Sequence, residues 1–167
     1  SQLSAPDLRR LVPIGDLGTV DERSLWLDDS VLNAYGHLIA TANPGVTVLS
    51  EIVSQRLQTQ TGPSLEQVHD SAFVDAGRRY LFDDRLVLVP VNVGGDHWTL
   101  VAMDNLARSV TYFNSLHGSG RDVLERFRRF AEYVATRFPR TDKPPDVRGY
   151  KMVSRVTDIP CQTNAHD

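Results

Sequence analysis

A single cysteine, Cys161, stands among the 167 residues. It excludes an intramolecular disulfide and a cysteine-rich zinc site, and it suits a reducing compartment. Aromatic residues make up only 8% of the chain, with two tryptophans, Trp26 and Trp98. Charge of neither sign dominates: 18 Lys and Arg against 21 Asp and Glu give a net charge of -3. There is thus no basic footprint for nucleic acid. No apolar run approaches the roughly 18 residues of a membrane span. The first residues, Ser1 to Asp7, lack a basic region followed by an apolar run, so no secretory signal is expected there. Internal repeats and low-complexity blocks are absent as well. What remains is the profile of one ordinary globular domain. It is 41% hydrophobic and long enough to bury roughly 70% of its unfolded surface.

Periodicity places the elements. Residues 1–25, with Pro6, Pro13, Gly15 and Gly18, read as a lead-in. From Trp26 onward, Leu27, Val31, Leu32, Tyr35, Leu38 and Ile39 keep helical spacing. Asp28, Asp29 and Ser30 sit where a cap belongs, and Asn43-Pro44-Gly45 ends the helix. Val46 to Leu49 reads as a short strand, and 50–60 and 65–80 as helices broken by Gly62-Pro63. Three strands follow, over 85–91, 98–103 and 109–113. An amphipathic helix then covers 121–138, with Pro139 as its stop and Arg126, Arg128, Arg129 and Arg137 on its solvated side. A last strand is expected over 150–156. Strands in the middle and helices at both ends indicate an α+β domain.

Two residues meet if the middle strands form a hairpin. A two-residue turn at Asn105-Leu106 would set Val101 opposite Val110, Thr99 opposite Tyr112 and His97 opposite Asn114. Opposed residues on one face lie roughly 4.5–5.5 Å apart at Cα, within reach of a side-chain hydrogen bond. Asp104, by contrast, is about 23 Å of straight strand away from His97. An asparagine carbonyl that accepts the Nδ1–H of a histidine leaves Nε2 to take a proton from a nucleophile, the logic of Cys-His-Asn proteases. From spacing alone, the favoured description of His97 and Asn114 is a strand-start histidine and a turn asparagine with no role. His37, His69, His117 and His166 show no ligand-like spacing with one another or with Cys161, so no metal site follows.

Four blocks in order add a resemblance. They are Trp26-Leu27-Asp28-Asp29 with Val31-Leu32-Asn33-Ala34-Tyr35; His97-Trp98; Tyr112-Phe113-Asn114-Ser115; and Pro160-Cys161-Gln162-Thr163-Asn164-Ala165-His166-Asp167. Together, from Trp26 to Asp167, they resemble the ubiquitin-like-protein-specific (SUMO or sentrin) cysteine proteases, which have bacterial effector and adenoviral relatives. The resemblance implies a papain-like or adenain-like α+β domain over 26–167, with a central mixed or antiparallel sheet flanked by helices. It implies His97 as the catalytic base, with Asn114 in place of the family's usual aspartate. Gln162 takes the place of the oxyanion donor. Trp26 and Trp98 match two indoles that wall a narrow tunnel for a Gly-Gly tail, and Asp29 matches an acidic position that helps bind the modifier. Only a tail without β-carbons fits between two aromatic walls.

The family's nucleophile follows the position of Asp167, so a cysteine is expected next in the polypeptide. Cys161, between Pro160 and Gln162, is expected to be a bystander. The implied activity is a thiol protease or isopeptidase, a deSUMOylase or deubiquitinase cleaving after the C-terminal Gly-Gly of SUMO, ubiquitin or both. It would need no cofactor, act as a monomer, and touch neither nucleic acid nor membrane. Asn114 and the Gly94-Gly95-Asp96 loop resemble bacterial effector members more than animal ones. That implies action in the cytoplasm or nucleus, in a host cell if the protein is a secreted effector. Two other classes compete: a non-catalytic binder of the modifier, and an acetyltransferase effector of the Yop J type, for which the arginines of the long helix would form a phosphate site.

Overall fold

The structure, a computed structural model, describes residues 29–58, 64, 81–95, 97–138 and 145–161. Helix α1 (Asp29–Ala42) leads into strand β1 (Val46–Val48), and α2 (Glu51–Gln58) follows. Three strands come next in the chain, β2 (Leu86–Val93), β3 (His97–Asp104) and β4 (Ser109–Phe113). Helix α3 (Arg121–Arg137), a 3-10 turn (Val147–Gly149) and β5 (Lys151–Val153) follow among the described residues. The five strands form one mixed sheet in chain order. β1 runs parallel to β2, β2–β3 and β3–β4 are antiparallel, and β5 lies parallel to β4.

Alternation along the strands decides which face is buried. Val87, Val89 and Val91 of β2, Thr99, Val101 and Met103 of β3, and Val110 and Tyr112 of β4 point to one side and are buried. Against them pack Val53 and Leu57 of α2 and the stripe Val123, Leu124, Phe127, Phe130, Ala131 and Val134 of α3. This is the helical face that the spacing predicts over 121–138. Arg126 Nε donates to the Leu57 carbonyl and ties α3 to the end of α2.

The opposite face of the sheet receives α1. A β-carbon on Gly36 would stand 2.7 Å from Val48 Cγ1, so the helix backbone lies directly on β1. Val48 and its partner Leu88 belong to the face away from the core. The contact corrects the face expected for α1. Its buried positions are Val31 and Gly36, while Tyr35 and Leu38 are each 63% exposed. Close approach at a glycine leaves a narrow buried stripe, and the larger apolar side chains flank it outside.

The strand over 46–49 is present as Val46–Val48, and the three middle strands match their expected positions within two residues. The last strand is confined to Lys151–Val153, because the 3-10 turn at 147–149 occupies the approach and the chain leaves the sheet at Ser154. The helix expected over 65–80 and the lead-in over 1–25 lie outside the described residues. Two of the arginines of α3 are engaged by glutamates of the same helix. Arg128 pairs with Glu125 at 2.7 Å and with Glu132, and Arg129 pairs with Glu125 at 3.1 Å. Those arginines keep the Glu125 carboxyl below its ordinary pKa, Arg128 foremost. Among the described residues no helix is long and apolar enough to cross a membrane.

Candidate active site

Strand direction gathers the candidate residues at one end of the sheet. β3 starts where β4 ends, so His97 and the residue after Phe113 share that end. β5 runs with β4, so the chain leaving Val153 heads the same way. β1 also finishes there, because it runs with β2, and Val93 at the end of β2 pairs with His97. Gly36 meets Val48 at the end of β1, so the first turn of α1, with Asp29, is carried beyond that end.

At this rim His97 Nε2 lies 2.9 Å from Asn114 Oδ1. The pairing is the one expected, reached by a different register. Leu100 pairs with Phe113 and Asp104 with Ser109, two residues away from the alignment that a two-residue turn at Asn105-Leu106 would set. The turn spans Asn105 to Arg108 instead. Asp104 Oδ1 accepts from Ala107 N at 2.8 Å, and Arg108 closes the turn at φ 50°. A slip of two keeps every side chain on its face. His97 therefore reaches Asn114 diagonally, a separation long side chains span on one face of a sheet. The slip also places Asn114 past the end of β4, where an asparagine turn is free to form.

That turn determines the roles of the atoms. Leu116 N donates to Asn114 Oδ1 at 2.8 Å, and His117 N donates to the Asn114 carbonyl at 2.8 Å. An atom accepting from a backbone N–H is the amide oxygen, so His97 must offer it Nε2–H. The expected assignment, Nδ1–H to asparagine, is thereby corrected. Nε2 is engaged, and Nδ1 keeps the lone pair that can take a proton. Asn114 Nδ2 in turn lies 3.5 Å from the hydroxyl of Tyr112, which is buried.

Two glycines are fitted to this arrangement. A β-carbon on Gly118 would come within 2.9 Å of Asn114 Nδ2, and one on Gly120 within 2.1 Å of the Tyr112 ring. Gly118, Gly120 and Tyr112 form the floor of the site. Their signal in the sequence is the Gly118-Ser119-Gly120 run, which follows the Tyr112–Ser115 block after two intervening residues. On the other strand, Asn92 Oδ1 accepts from Gly95 N at 2.9 Å and shapes the hairpin that presents His97. Gly94 and Gly95 there take φ of 74° and 90°, a backbone open to glycine and strained for residues with a β-carbon.

Trp98 is half-buried opposite Asn92, on the face that α1 covers. Asp29 opens α1 on the same face and is half-buried. Trp26, Gln162 and Asp167 lie outside the described residues. The chain is described as far as Cys161, which is exposed. Among the described residues no group of three His, Cys, Asp or Glu side chains could hold a metal.

Known proteins share this architecture. The solved SUMO protease Ulp1 with its catalytic cysteine oxidised to a sulfonic acid superposes with a TM-score of 0.75 at 15% identity, over 99% of this chain and 66% of that one. The C-terminal Ulp1 protease domain in complex with Smt3, the yeast orthologue of SUMO, superposes at 0.64 and 14% identity, over 84% of this chain and 59% of that one. At these identities the likeness concerns the fold, and it is the papain-like or adenain-like α+β domain that the resemblance implied. In sequence, sentrin-specific protease 3 of Mus musculus is 27% identical over 143 residues, 85% of this chain and 24% of that protein. The ubiquitin-like-specific protease ESD4 of Arabidopsis thaliana is 25% identical over 151 residues, 86% of this chain and 30% of that protein. The chain thus spans about a quarter of the length of the first of these relatives. The model of the Ulp1 protease family, C-terminal catalytic domain, matches residues 25–167. That match takes in all four sequence blocks, and by it the chain belongs to the Ulp1 protease family.

Proposed function

We propose that this domain is a thiol protease and isopeptidase that cleaves after the C-terminal Gly-Gly of a SUMO-type modifier and releases it from target proteins. The observation that carries the reading is the hydrogen bond from His97 Nε2 to Asn114 Oδ1 at the rim of the sheet. It leaves Nδ1 as an oriented base. A fixed imidazole beside a thiol is what such chemistry requires.

The attacking thiol belongs to a cysteine after Asp167, the position given to it by the family motif. His97 Nδ1 takes its proton, and the thiolate attacks the carbonyl carbon of the terminal glycine. Gln162 donates to the oxyanion. The tetrahedral adduct collapses to a thioester as the imidazolium gives its proton to the departing lysine amine. Water, deprotonated by the same nitrogen, then hydrolyses the thioester and regenerates the thiol. Asn114 holds the ring without adding charge, so this site stabilises the imidazolium less than a carboxylate would.

Trp98 and Trp26 wall the passage for the glycine tail, and Asp29 contacts the modifier. The placement of Trp98 on the face covered by α1, which Trp26 precedes by three residues, supports that arrangement. SUMO is the preferred modifier over ubiquitin, in line with what the relatives and the Smt3-bound neighbour are named for. The enzyme acts as a monomer in the cytoplasm or nucleus. The test is cleavage of SUMO and ubiquitin conjugates by the full-length protein and its His97→Ala variant. SUMO release by the parent, lost in the variant with SUMO still bound, is the expected result. Full release by the variant contradicts it.

A further inference from the structure

We propose that His117 is a positioning residue: it fastens the Ser154–Ile159 segment, which leads to Gln162, onto the Asn114 turn and so couples that segment to the partner of the base His97. The inference rests on the proteolytic reading above. His117 sits in the left-handed backbone region, φ 55°, which disfavours any residue with a β-carbon. Its backbone N–H donates to the carbonyl of Asn114 at 2.8 Å. Its half-buried imidazole turns the other way, with Nε2 3.3 Å from the carbonyl of Ile159. A carbonyl only accepts, so Nε2 carries the hydrogen in this contact.

One residue therefore joins the partner of the base to the strand of chain that ends in Pro160-Cys161-Gln162. From Ile159 to Gln162 is three residues, roughly 10 Å at full extension, so the hold acts within that reach of the oxyanion donor. A second tie lies upstream, where Gly120 N donates to the Ser154 carbonyl at 2.8 Å. The segment from Ser154 to Ile159 is thus held at both ends by the loop between β4 and α3. Of the two ties, only that of His117 is made by a side chain. The Gly120 tie fixes where the segment leaves β5, and the His117 tie fixes where it arrives at the site.

The test uses the full-length protein with its nucleophile and compares parent, His117→Gly, His117→Gln and His97→Ala. His117→Gly relaxes the left-handed backbone and folds, while removing the imidazole. Loss of one neutral hydrogen bond predicts about a fivefold fall in kcat on a SUMO fusion, with KM unchanged. Trypsin cleavage after the exposed Arg155, between the two ties, should quicken by a similar factor. His117→Gln, which restores a donor of similar reach, should recover most of both. Parental kcat or parental Arg155 cleavage in His117→Gly overturns the proposal. Full activity in His97→Ala overturns the proteolytic reading instead, and the Arg155 measurement still decides the tie by itself.

Discussion

Gly120 lies so close to Tyr112 that a β-carbon on the glycine would stand 2.1 Å from the ring. The ring is buried, and its hydroxyl lies 3.5 Å from Asn114 Nδ2. A glycine backbone thereby fixes the height of the site floor. Gly120→Ala must displace either the first turn of α3 or the Tyr112 ring, an overpacking cost of about 1–3 kcal/mol. Urea unfolding should register that loss, and SUMO cleavage should fall with it, because Asn114 loses its support. A variant with parental stability and rate would show that the contact relaxes freely.

Asn114 accepts from both His97 and Leu116 through one oxygen. Asn114→Ala removes the acceptor that orients the base, and kcat/KM should drop about a hundredfold, the low end of what a positioned acid–base group contributes. Asn114→Asp keeps both acceptor bonds and adds a charge that favours the imidazolium, so its kcat/KM should stay within about tenfold of the parent. Steady-state kinetics on a SUMO fusion separates the two. Equal losses in both variants would mean that the amide NH2 group, through Tyr112, matters more than the oxygen.

Gly36 and Val48 provide a paired test of how α1 sits. The β-carbon of Gly36→Ala would meet Val48 Cγ1 at 2.7 Å. Lifting the helix from β1 should cost about 1–3 kcal/mol and weaken modifier binding through displacement of the Trp98 face. In a Val48→Ala background the same substitution should cost markedly less, since contacting residues are not additive. A double-mutant cycle by chemical denaturation measures the coupling, and simple additivity would place the helix elsewhere.

Burial pushes the Tyr150 phenol above its ordinary pKa, with Asp104 adding to the rise and Arg108, stacked 5.6 Å from the ring centroid, opposing it. The folded chain then keeps a proton that the unfolded chain releases near pH 10. The contribution is fully present below about pH 10, and stability falls as pH rises from there through the higher folded value. Tyr150→Phe should flatten that alkaline decline. It should also cost about 1 kcal/mol at neutral pH, because the hydroxyl donates to Asn105 Oδ1 at 3.0 Å. Unfolding free energies between pH 7 and 11 decide it, and an unchanged alkaline slope in the variant would assign the decline to other groups.

The elements most legible in the sequence were those with strong periodicity. Val87, Val89 and Val91 of β2 and the Val123–Val134 stripe of α3 could satisfy only one face each, and they do. His97 and Asn114 were legible as a pair because side-chain parity survives a register slip of two. The register itself was not, since turn length at Asn105–Arg108 depends on a side-chain bond from Asp104 and one left-handed residue. Nor could spacing tell which imidazole nitrogen faces Asn114, because that depends on the turn at Leu116. Tyr35 and Leu38 share the helical spacing of Val31 yet are exposed, because helical periodicity cannot see that a glycine makes the contact. His117 showed no ligand spacing, and its partner, the Ile159 carbonyl, is backbone and leaves no mark on composition.

In the proposed reaction His97, oriented by Asn114, activates a cysteine beyond Asp167 for attack on a Gly-Gly carboxyl terminus. The most direct measurement is mass spectrometry of the full-length protein after exposure to SUMO bearing a C-terminal electrophile. One covalent adduct is expected, mapped to the cysteine following Asp167 and lost in His97→Ala. An adduct on Cys161, or none in the parent, would contradict it.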